Sequence, residues 1–326
     1  MESIKTLRAM TGAGLADVKK ALTEADGDMD RAKEILRERG QAIAAKRSDR
    51  ETAIGCVLTK SANGFSAIIA LKCETDFVAN GADYIKLTQE IIDAAVAAKA
   101  KSIDEINNLT LANGQTVAAA VVERSGVTGE KMELDGYCFI EGDNVSVYNH
   151  MSKNTLCTMV QTNKPAEEQA HVIAMQVAAM KPVALSENDV DPKIIEEEKK
   201  VAAEKTKQEQ IQKAIDNALK KAGINPAHVD SEDHIESNTA KGWLTPEQAA
   251  QAREIIKTVG EEKANSLNPA MIENIANGRV QKFLKEQTLE EQEYQMSDDK
   301  ISVKAAIQAE DKEAKVVAFK RFSLND

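Results

Sequence analysis

Residues 53–71 read AIGCVLTKSANGFSAIIAL, with an apolar run on each side of the tetrapeptide Ser61-Ala62-Asn63-Gly64. Both runs have the isoleucine, valine, leucine and phenylalanine content that is typical of β-strands. An Asn-Gly pair between two such runs indicates a tight turn, because both residues tolerate positive φ angles. The segment therefore predicts an antiparallel β-hairpin, and a helix from about Ala82 to Ala100 is expected to follow it.

The first 40 residues predict a separate module of three short helices. Apolar residues recur at spacings of three and four in Ser3–Met10, Gly14–Glu24 and Asp28–Arg39, and no strand pattern lies between them. Gly40 is the expected end of the third helix, since glycine readily adopts the conformation that follows a helix terminus. A basic, alanine-rich connector, Ala42–Arg50, then leads to the hairpin.

The order of strands followed by a helix recurs from Gly136 onward. Strand-like composition is found at Tyr137–Ile140, Asn144–Tyr148 and Thr155–Val160, and an apolar, alanine-rich helix is expected at Ala166–Met180. Two successive segments with the same order of elements predict two related α+β halves.

The segment 191–282 is predicted to be mostly helical. Asp191-Pro192, Thr245-Pro246 and Asn268-Pro269 each combine a helix-capping side chain with a proline at the first helical position. A thin apolar stripe among glutamates and lysines indicates a helix that lies against one partner helix, as in a coiled coil. We therefore expect an inserted helical hairpin.

Strand-like composition returns after Phe283, at Ile301–Val303 and Lys315–Phe322. The simplest geometry places the helical insertion inside the second half, whose last strand then comes from the C-terminus. The expected fold class is α+β, with antiparallel sheets in two related halves. The expected boundaries are 1–50 for the module and linker, 51–135 for the first half, 136–190 with 283–326 for the second half, and 191–282 for the insertion.

The overall charge argues against nucleic acid and membrane partners. Lys and Arg total 42 and Asp and Glu total 53, for a net charge of −11, which disfavours phosphate backbones and anionic lipid. No window approaches the roughly 20 apolar residues of a membrane span, and no apolar signal segment follows the first methionine. We expect a cytoplasmic protein that binds another protein or a small molecule.

Residue types that support catalysis or metal binding lack the required spacing. The four cysteines are spread singly, which is typical of reduced core residues, and the four histidines show no ligand spacing. The glycines of Thr11-Gly12-Ala13-Gly14 follow no strand and lack a P-loop lysine, which favours a turn between helices. We therefore predict no catalytic residue, cofactor or bound metal, and an enzyme is the weaker hypothesis.

Aromatic residues make up only 3% of the chain, so each one is informative. A strand ends near Cys73, and Thr75 or Asp76 can cap a helical turn, which places Phe77 at a strand-to-helix corner. Composition alone favours Phe77 as a staple of its own core. The functional alternative is a rigid aromatic contact for a protein partner, with Asp76 fixing the approach. Trp243 is expected in a small local core, and a contact point is the alternative.

A set of short motifs is spread over nearly the whole chain. These motifs are Leu7-Arg8, Thr11-Gly12-Ala13-Gly14, Asp17, Lys19-Lys20-Ala21-Leu22, Gly27-Asp28, Thr75-Asp76-Phe77-Val78, His171–Ala179, Lys181-Pro182, Gly278-Arg279, Lys282-Phe283, Phe319 and Arg321-Phe322. In identity and order they resemble the elongation factor Ts family, the guanine-nucleotide exchange factors for elongation factor Tu.

The resemblance implies a ubiquitin-associated-like N-terminal module, a two-part α+β core and an inserted hairpin. It also implies that the Asp-Phe corner presses on elongation factor Tu near its magnesium site and loosens Mg²⁺ and GDP. The N-terminal module is implied to contact the same domain of the partner, and the core to reach the partner elsewhere. The positions that match the family's contacts are Asp76 and Phe77 at the corner, Arg8, Leu15, Ala16 and Lys19 in the module, and Gly129 and His150 in the core.

A second class of function stays open at this point. The chain could be a helical adaptor or scaffold that binds a protein through the N-terminal module or the 191–282 hairpin and exchanges nothing. An enzyme acting on a small molecule, the third class, requires a deep polar pocket for which the sequence offers no residues.

Overall fold

The structure is a computed structural model that describes residues 2–309 and 311–326. The chain forms two compact units: one contains the residues up to Leu185 together with Leu289–Asp326, and the other is Ser186–Thr288. Helices and two small antiparallel sheets make up the fold, so the predicted α+β class is confirmed. The four-part division drawn from the sequence stays a prediction.

Three helices open the chain: α1 (Glu2–Thr11), α2 (Leu15–Glu24) and α3 (Met29–Lys46). Their apolar faces meet in a small core. The buried residues of that core are Leu7, Ala13, Val18, Ala21, Leu22, Ala25, Ala32 and Ile35. The expected helix end at Gly40 is wrong, because α3 continues to Lys46 and takes in half of the predicted connector.

The first sheet contains β1 (Ile54–Ala62), β2 (Phe65–Cys73) and β3 (Glu133–Glu141), paired in that order. Of the predicted turn at residues 61–64, only Asn63 and Gly64 lie between β1 and β2, with φ angles of 52° and 71°, while Ser61 and Ala62 belong to β1. Such a turn matches the twist of the flanking strands. The hairpin is therefore confirmed.

The order of elements places the strand at Tyr137–Ile140 in the second half, whereas in the structure this strand joins the first sheet. It is part of β3, which pairs antiparallel with β2. Phe139 stacks on Phe65 of β2, with ring centroids 5.4 Å apart. A periodic pattern predicts a strand but not its neighbour, because the neighbour depends on contacts between distant parts of the chain.

Four helices connect β2 to β3: α4 (Asp76–Ala79), α5 (Ala82–Ala98), α6 (Ile103–Asn108) and α7 (Val117–Thr128). One face of β2 packs against these helices, and the other face packs against the second sheet. The residues of β2 that face the helices are Phe65, Ala67, Ile69, Leu71 and Cys73, and those that face the second sheet include Ile68 and Ala70. This strand is therefore buried on both sides.

The second sheet contains β4 (Val145–Asn149), β5 (Leu156–Thr162) and the C-terminal strand β6 (Val316–Ser323), in that order. The helix α8 (Glu167–Met180) covers its outer face. The layers of this unit are thus helices, sheet, sheet and helix. The prediction of a strand at Ile301–Val303 is wrong. The Ser302 side chain instead caps a short helix, α13 (Val303–Ile307).

The second unit is helical, with α9 (Pro192–Lys221), α10 (Glu232–Ala240), α11 (Pro246–Asn265) and α12 (Pro269–Gln287). The caps predicted before α9, α11 and α12 are present, because each side chain accepts a hydrogen bond from the first turn of its helix. Helix α9 packs against both α11 and α12. Helix α9 therefore packs against two helices instead of the single partner expected.

Trp243 lies between α10 and α11, and 61% of its surface is exposed. The expectation that it belongs to a small local core is wrong. Leu244, its neighbour, occupies that core with Ile235. The indole ring instead contacts His228, with ring centroids 5.6 Å apart, and Lys241, whose Nζ lies 5.4 Å from the ring centroid.

Cys56, Cys73 and Cys157 are buried and Cys138 is partly buried, all as free thiols. This agrees with their interpretation as reduced core residues. Among the residues described, no set of three or more His, Cys, Asp or Glu side chains is arranged to hold a metal ion. Within the same residues, no helix has both the length and the apolar character that a membrane crossing requires.

Candidate protein-binding corner

The corner between β2 and α5 is built by a four-residue helix, α4. Thr75 precedes it with extended backbone angles, and its hydroxyl accepts a hydrogen bond from the Val78 N–H at 3.4 Å. At the other end, the Asn80 side chain donates to the Asp76 carbonyl at 2.8 Å. Of the two caps that the sequence allowed, the structure uses Thr75. The strand-to-helix corner is confirmed.

Phe77 projects from this corner into solvent, with 87% of its surface exposed. The two residues that follow it anchor the helix, since Ala79 is buried in the core of the first sheet and Val78 packs against that core. The interpretation of Phe77 as a staple of its own core is therefore wrong. Burial of this ring against a partner contributes roughly 1.5 to 3 kcal/mol to the binding free energy. Asp76 stands beside it, also exposed.

A carboxylate from the end of α7 supports the corner. One oxygen of Glu130 accepts hydrogen bonds from the backbone N–H groups of Glu74, at 3.2 Å, and Thr75, at 3.1 Å. The other oxygen accepts from the Thr75 hydroxyl at 2.5 Å. Hydrogen bonds to an ionised carboxylate are about twice as strong as neutral ones. Glu130 therefore binds the corner at three points.

A second carboxylate, that of Glu74, accepts a hydrogen bond from the segment that contains Glu130. Glu74 accepts a hydrogen bond from the Lys131 N–H at 2.6 Å, and its two oxygens pair with Arg50 at 2.8 Å and Arg47 at 3.3 Å. The hydrogen bond from the Lys131 N–H is the largest cause that lowers the pKa of the Glu74 carboxyl, and Arg50 and Arg47 lower it further. Burial of the carboxyl raises the pKa and only partly offsets these effects. The segment after α3 is thereby joined to the base of the corner.

The four predicted contacts in the N-terminal module are exposed: Arg8 on α1, and Leu15, Ala16 and Lys19 on α2. Leu15 and Lys19 are four residues apart and share one face of α2. Leu15 leaves 48% of its surface accessible. These positions are available to a partner, and their role in binding stays a prediction.

The two predicted contacts in the core lie in different places. Gly129 ends α7 in the left-handed conformation, with φ of 73°, directly before Glu130. His150 follows β4, and its Nδ1 lies 3.3 Å from the Tyr148 hydroxyl. The structure thus connects Gly129 to the corner through the chain, whereas His150 lies just beyond β4 of the second sheet.

The sequence analysis does not predict the roles of Glu74 and Glu130. A single glutamate in a connecting segment carries no periodic or spacing signal. The available clue was the pair of backbone N–H groups between the strand end at Cys73 and the cap at Thr75, which need acceptors. The glutamate that supplies those acceptors is more than 50 residues away, so its identity required coordinates.

Two comparisons with known proteins indicate the same family. The sequence model of the family described as Elongation factor TS matches residues 74–225 and 210–326. A relative named Elongation factor Ts from Bacteroides fragilis is 58% identical over 325 residues, 99% of this chain and 98% of the relative. One of the same name from Porphyromonas gingivalis is 39% identical over 326 residues, 100% of this chain and 98% of the relative. The chain therefore belongs to the elongation factor Ts family of translation elongation factors.

Proposed function

We propose that this chain promotes the release of GDP from elongation factor Tu by inserting the Asp76-Phe77 corner near the nucleotide and magnesium site of that partner. Family membership supports the partner and the exchange activity. The observation that carries the role of the corner is the exposure of Phe77, 87% of whose surface is free on an anchored helix. The chain itself supplies no cofactor, metal or covalent step in this mechanism.

The mechanism is a coupling between two binding events. The factor and the nucleotide each weaken the other's affinity for the same protein, and this coupling is reciprocal at equilibrium. A nanomolar nucleotide complex corresponds to about 12 kcal/mol, and each tenfold loosening needs about 1.4 kcal/mol. Burial of Phe77 contributes roughly 1.5 to 3 kcal/mol, hence one to two factors of ten.

One ring is therefore insufficient for a large acceleration. Further contacts must hold the partner in its distorted state, and we assign this role to the module and the core. The module positions are Arg8, Leu15, Ala16 and Lys19, and the core positions are Gly129 and His150. The ubiquitin-associated-like classification of the module and a cytoplasmic location stay predictions.

The test is the release of a fluorescent GDP analogue from elongation factor Tu, followed with increasing factor. Phe77→Ala is expected to lower the rate of release at saturating factor by about tenfold or more, because it removes the buried ring. Met296→Ala is the matched control, since Met296 is also exposed, at 67%, and lies away from the corner in sequence. An unchanged rate for Phe77→Ala would exclude the role of the corner.

The second candidate function is an adaptor that binds a protein through the helical unit. The exposed indole of Trp243 favours it, because exposed aromatic residues are frequent anchors of protein interfaces. Trp243→Ala distinguishes the two functions. An adaptor of this kind loses its partner, whereas the proposed exchange factor keeps its saturating rate of GDP release.

A further inference from the structure

We propose that Glu130 is a positioning residue for exchange: it fixes the Thr75–Ala79 corner and so sets the direction in which Phe77 projects. The proposal rests on the proposed function of the corner. Glu130 itself is not placed at the partner; it acts through Thr75 and α4.

The need for such a residue follows from the length of α4. A helix of four residues forms one turn, and a single turn is unstable without tertiary support. The backbone N–H groups of Glu74 and Thr75 lie after the end of β2 and before the helix, so neither element provides their acceptors. Glu130 accepts from both.

Glu130 also controls the helix cap. The Thr75 hydroxyl donates to Glu130, which leaves its lone pairs directed toward the Val78 N–H that it caps. A hydroxyl has one proton and two acceptor sites, so the bond to the carboxylate selects the orientation in which the cap forms. The carboxylate thereby orients the first turn of the helix that carries Phe77.

Glu130 is held in place by the end of α7. Its carbonyl accepts from the Ser125 hydroxyl at 2.5 Å, and its N–H donates to the Thr128 hydroxyl at 3.3 Å. The next N–H, that of Lys131, returns to the Glu74 carboxylate. The two segments thus bind each other reciprocally, each glutamate accepting from the backbone of the opposite segment. The corner is thereby tied to the partly buried end of α7, where Ser125 is buried.

The first test uses the free protein and needs no partner. In Glu130→Ala, amide hydrogen exchange at Glu74 and Thr75 is expected to accelerate by about tenfold, because each amide loses a charge-assisted acceptor. Amides in the middle of β2 serve as the internal control and should not change. Equal protection of Glu74 and Thr75 in the two proteins overturns the proposal.

The second test is a double-mutant cycle in the GDP-release assay. Glu130→Ala is expected to lower the saturating release rate by about threefold to tenfold, and to cause no further loss in a Phe77→Ala background, since residues that act through one another are not additive. A general structural role would give the same loss in both backgrounds and would overturn the proposal. Glu90→Ala, an α5 glutamate paired with Lys86, is the matched control.

Glu130→Gln guards against a folding defect. It keeps an oxygen for the two N–H groups, while its amide N–H donates to the Thr75 hydroxyl, which reverses the direction of that bond but leaves the hydroxyl a second lone pair for the Val78 N–H. It is therefore expected to restore most of the release rate, with a loss of about twofold relative to the natural chain. A Gln variant as slow as the Ala variant, despite an unchanged melting temperature, contradicts positioning through hydrogen bonds. If Phe77→Ala itself has no effect, the proposed function fails. Amide hydrogen exchange at Glu74 and Thr75 still shows whether Glu130 fixes the corner.

Discussion

Gly126 of α7 lies directly against the backbone of Gly40 of α3: a β-carbon built on Gly126 would be 2.1 Å from the Cα of Gly40. No side chain fits at Gly126, whereas a β-carbon on Gly40 would lie 3.3 Å from the Cα of Gly126. The contact explains why α3 continues through Gly40, since the extended helix packs against α7. It also joins the three-helix module to the helix whose end carries Glu130.

Gly126→Ala is therefore expected to destabilise the protein by about 1 to 3 kcal/mol, because the methyl group forces α3 and α7 apart. Urea unfolding measures the change. The matched control is Gly278→Ala in α12, where a β-carbon meets no atom within 4 Å. That variant should gain about 0.4 to 1 kcal/mol, since alanine reduces the entropy of the unfolded chain. Equal effects of the two variants would contradict the close crossing.

The parts of the fold that could be predicted from the sequence carry local signals. Asn63-Gly64 specifies its own turn. Thr75 caps the short helix that contains the exposed Phe77. Chemistry within a few residues decides both features, so one sequence suffices. The strand-to-helix corner, which is the centre of the candidate site, was located in this way.

The parts that could not be predicted depend on distant residues. Nothing near Gly40 shows that Gly126 will meet it, and the pattern of Tyr137–Ile140 does not show that β2 is its neighbour. The same limit applies to Glu130, whose role exists only because the chain returns to the corner after α7. Exposure at a corner also requires coordinates, since Phe77 could equally have folded inward.

The lowered pKa of Glu74 predicts a pH-dependent contribution to stability. A carboxyl whose folded pKa lies below the ordinary value of 4.5 stabilises the protein above that value, and this stabilisation is lost as the pH falls through the folded pKa. Glu74→Gln is therefore expected to be less stable than the natural chain at pH 7. The difference between their urea midpoints should shrink below about pH 4.5. A difference that grows in acid would show that the sign is wrong.

The buried thiols are expected to react slowly in the folded protein. Burial raises the pKa of Cys56 to about 11 and also raises the pKa of Cys73 and Cys157. Because only the thiolate attacks, ionisation alone slows Cys56 by about a hundredfold at pH 8 relative to an ordinary cysteine. Labelling with a disulfide reagent, with and without urea, measures this. Rapid reaction of Cys56 in the native state would contradict its burial.

The helical unit is expected to be removable without unfolding the rest. The Leu289 N–H donates to the Ala184 carbonyl at 2.9 Å, and the Glu290 N–H donates to the Leu185 carbonyl at 2.9 Å, so the two ends left by excision of residues 186–288 are adjacent. A flexible linker of about four residues can close the gap, because loop-closure entropy rises only slowly with length. Circular dichroism and a cooperative melting curve test whether the shortened chain folds.

The shortened chain also separates the two candidate functions. Phe77, Glu130 and every other predicted contact residue belong to the unit that remains, so the proposed exchange factor should keep most of its saturating rate of GDP release. An adaptor that binds through the helical unit should lose its partner altogether. A shortened chain that folds but neither binds elongation factor Tu nor releases its GDP would show that the essential contacts lie in residues 186–288. The inactivity of such a chain would count against the corner even if Phe77 is fully exposed in it.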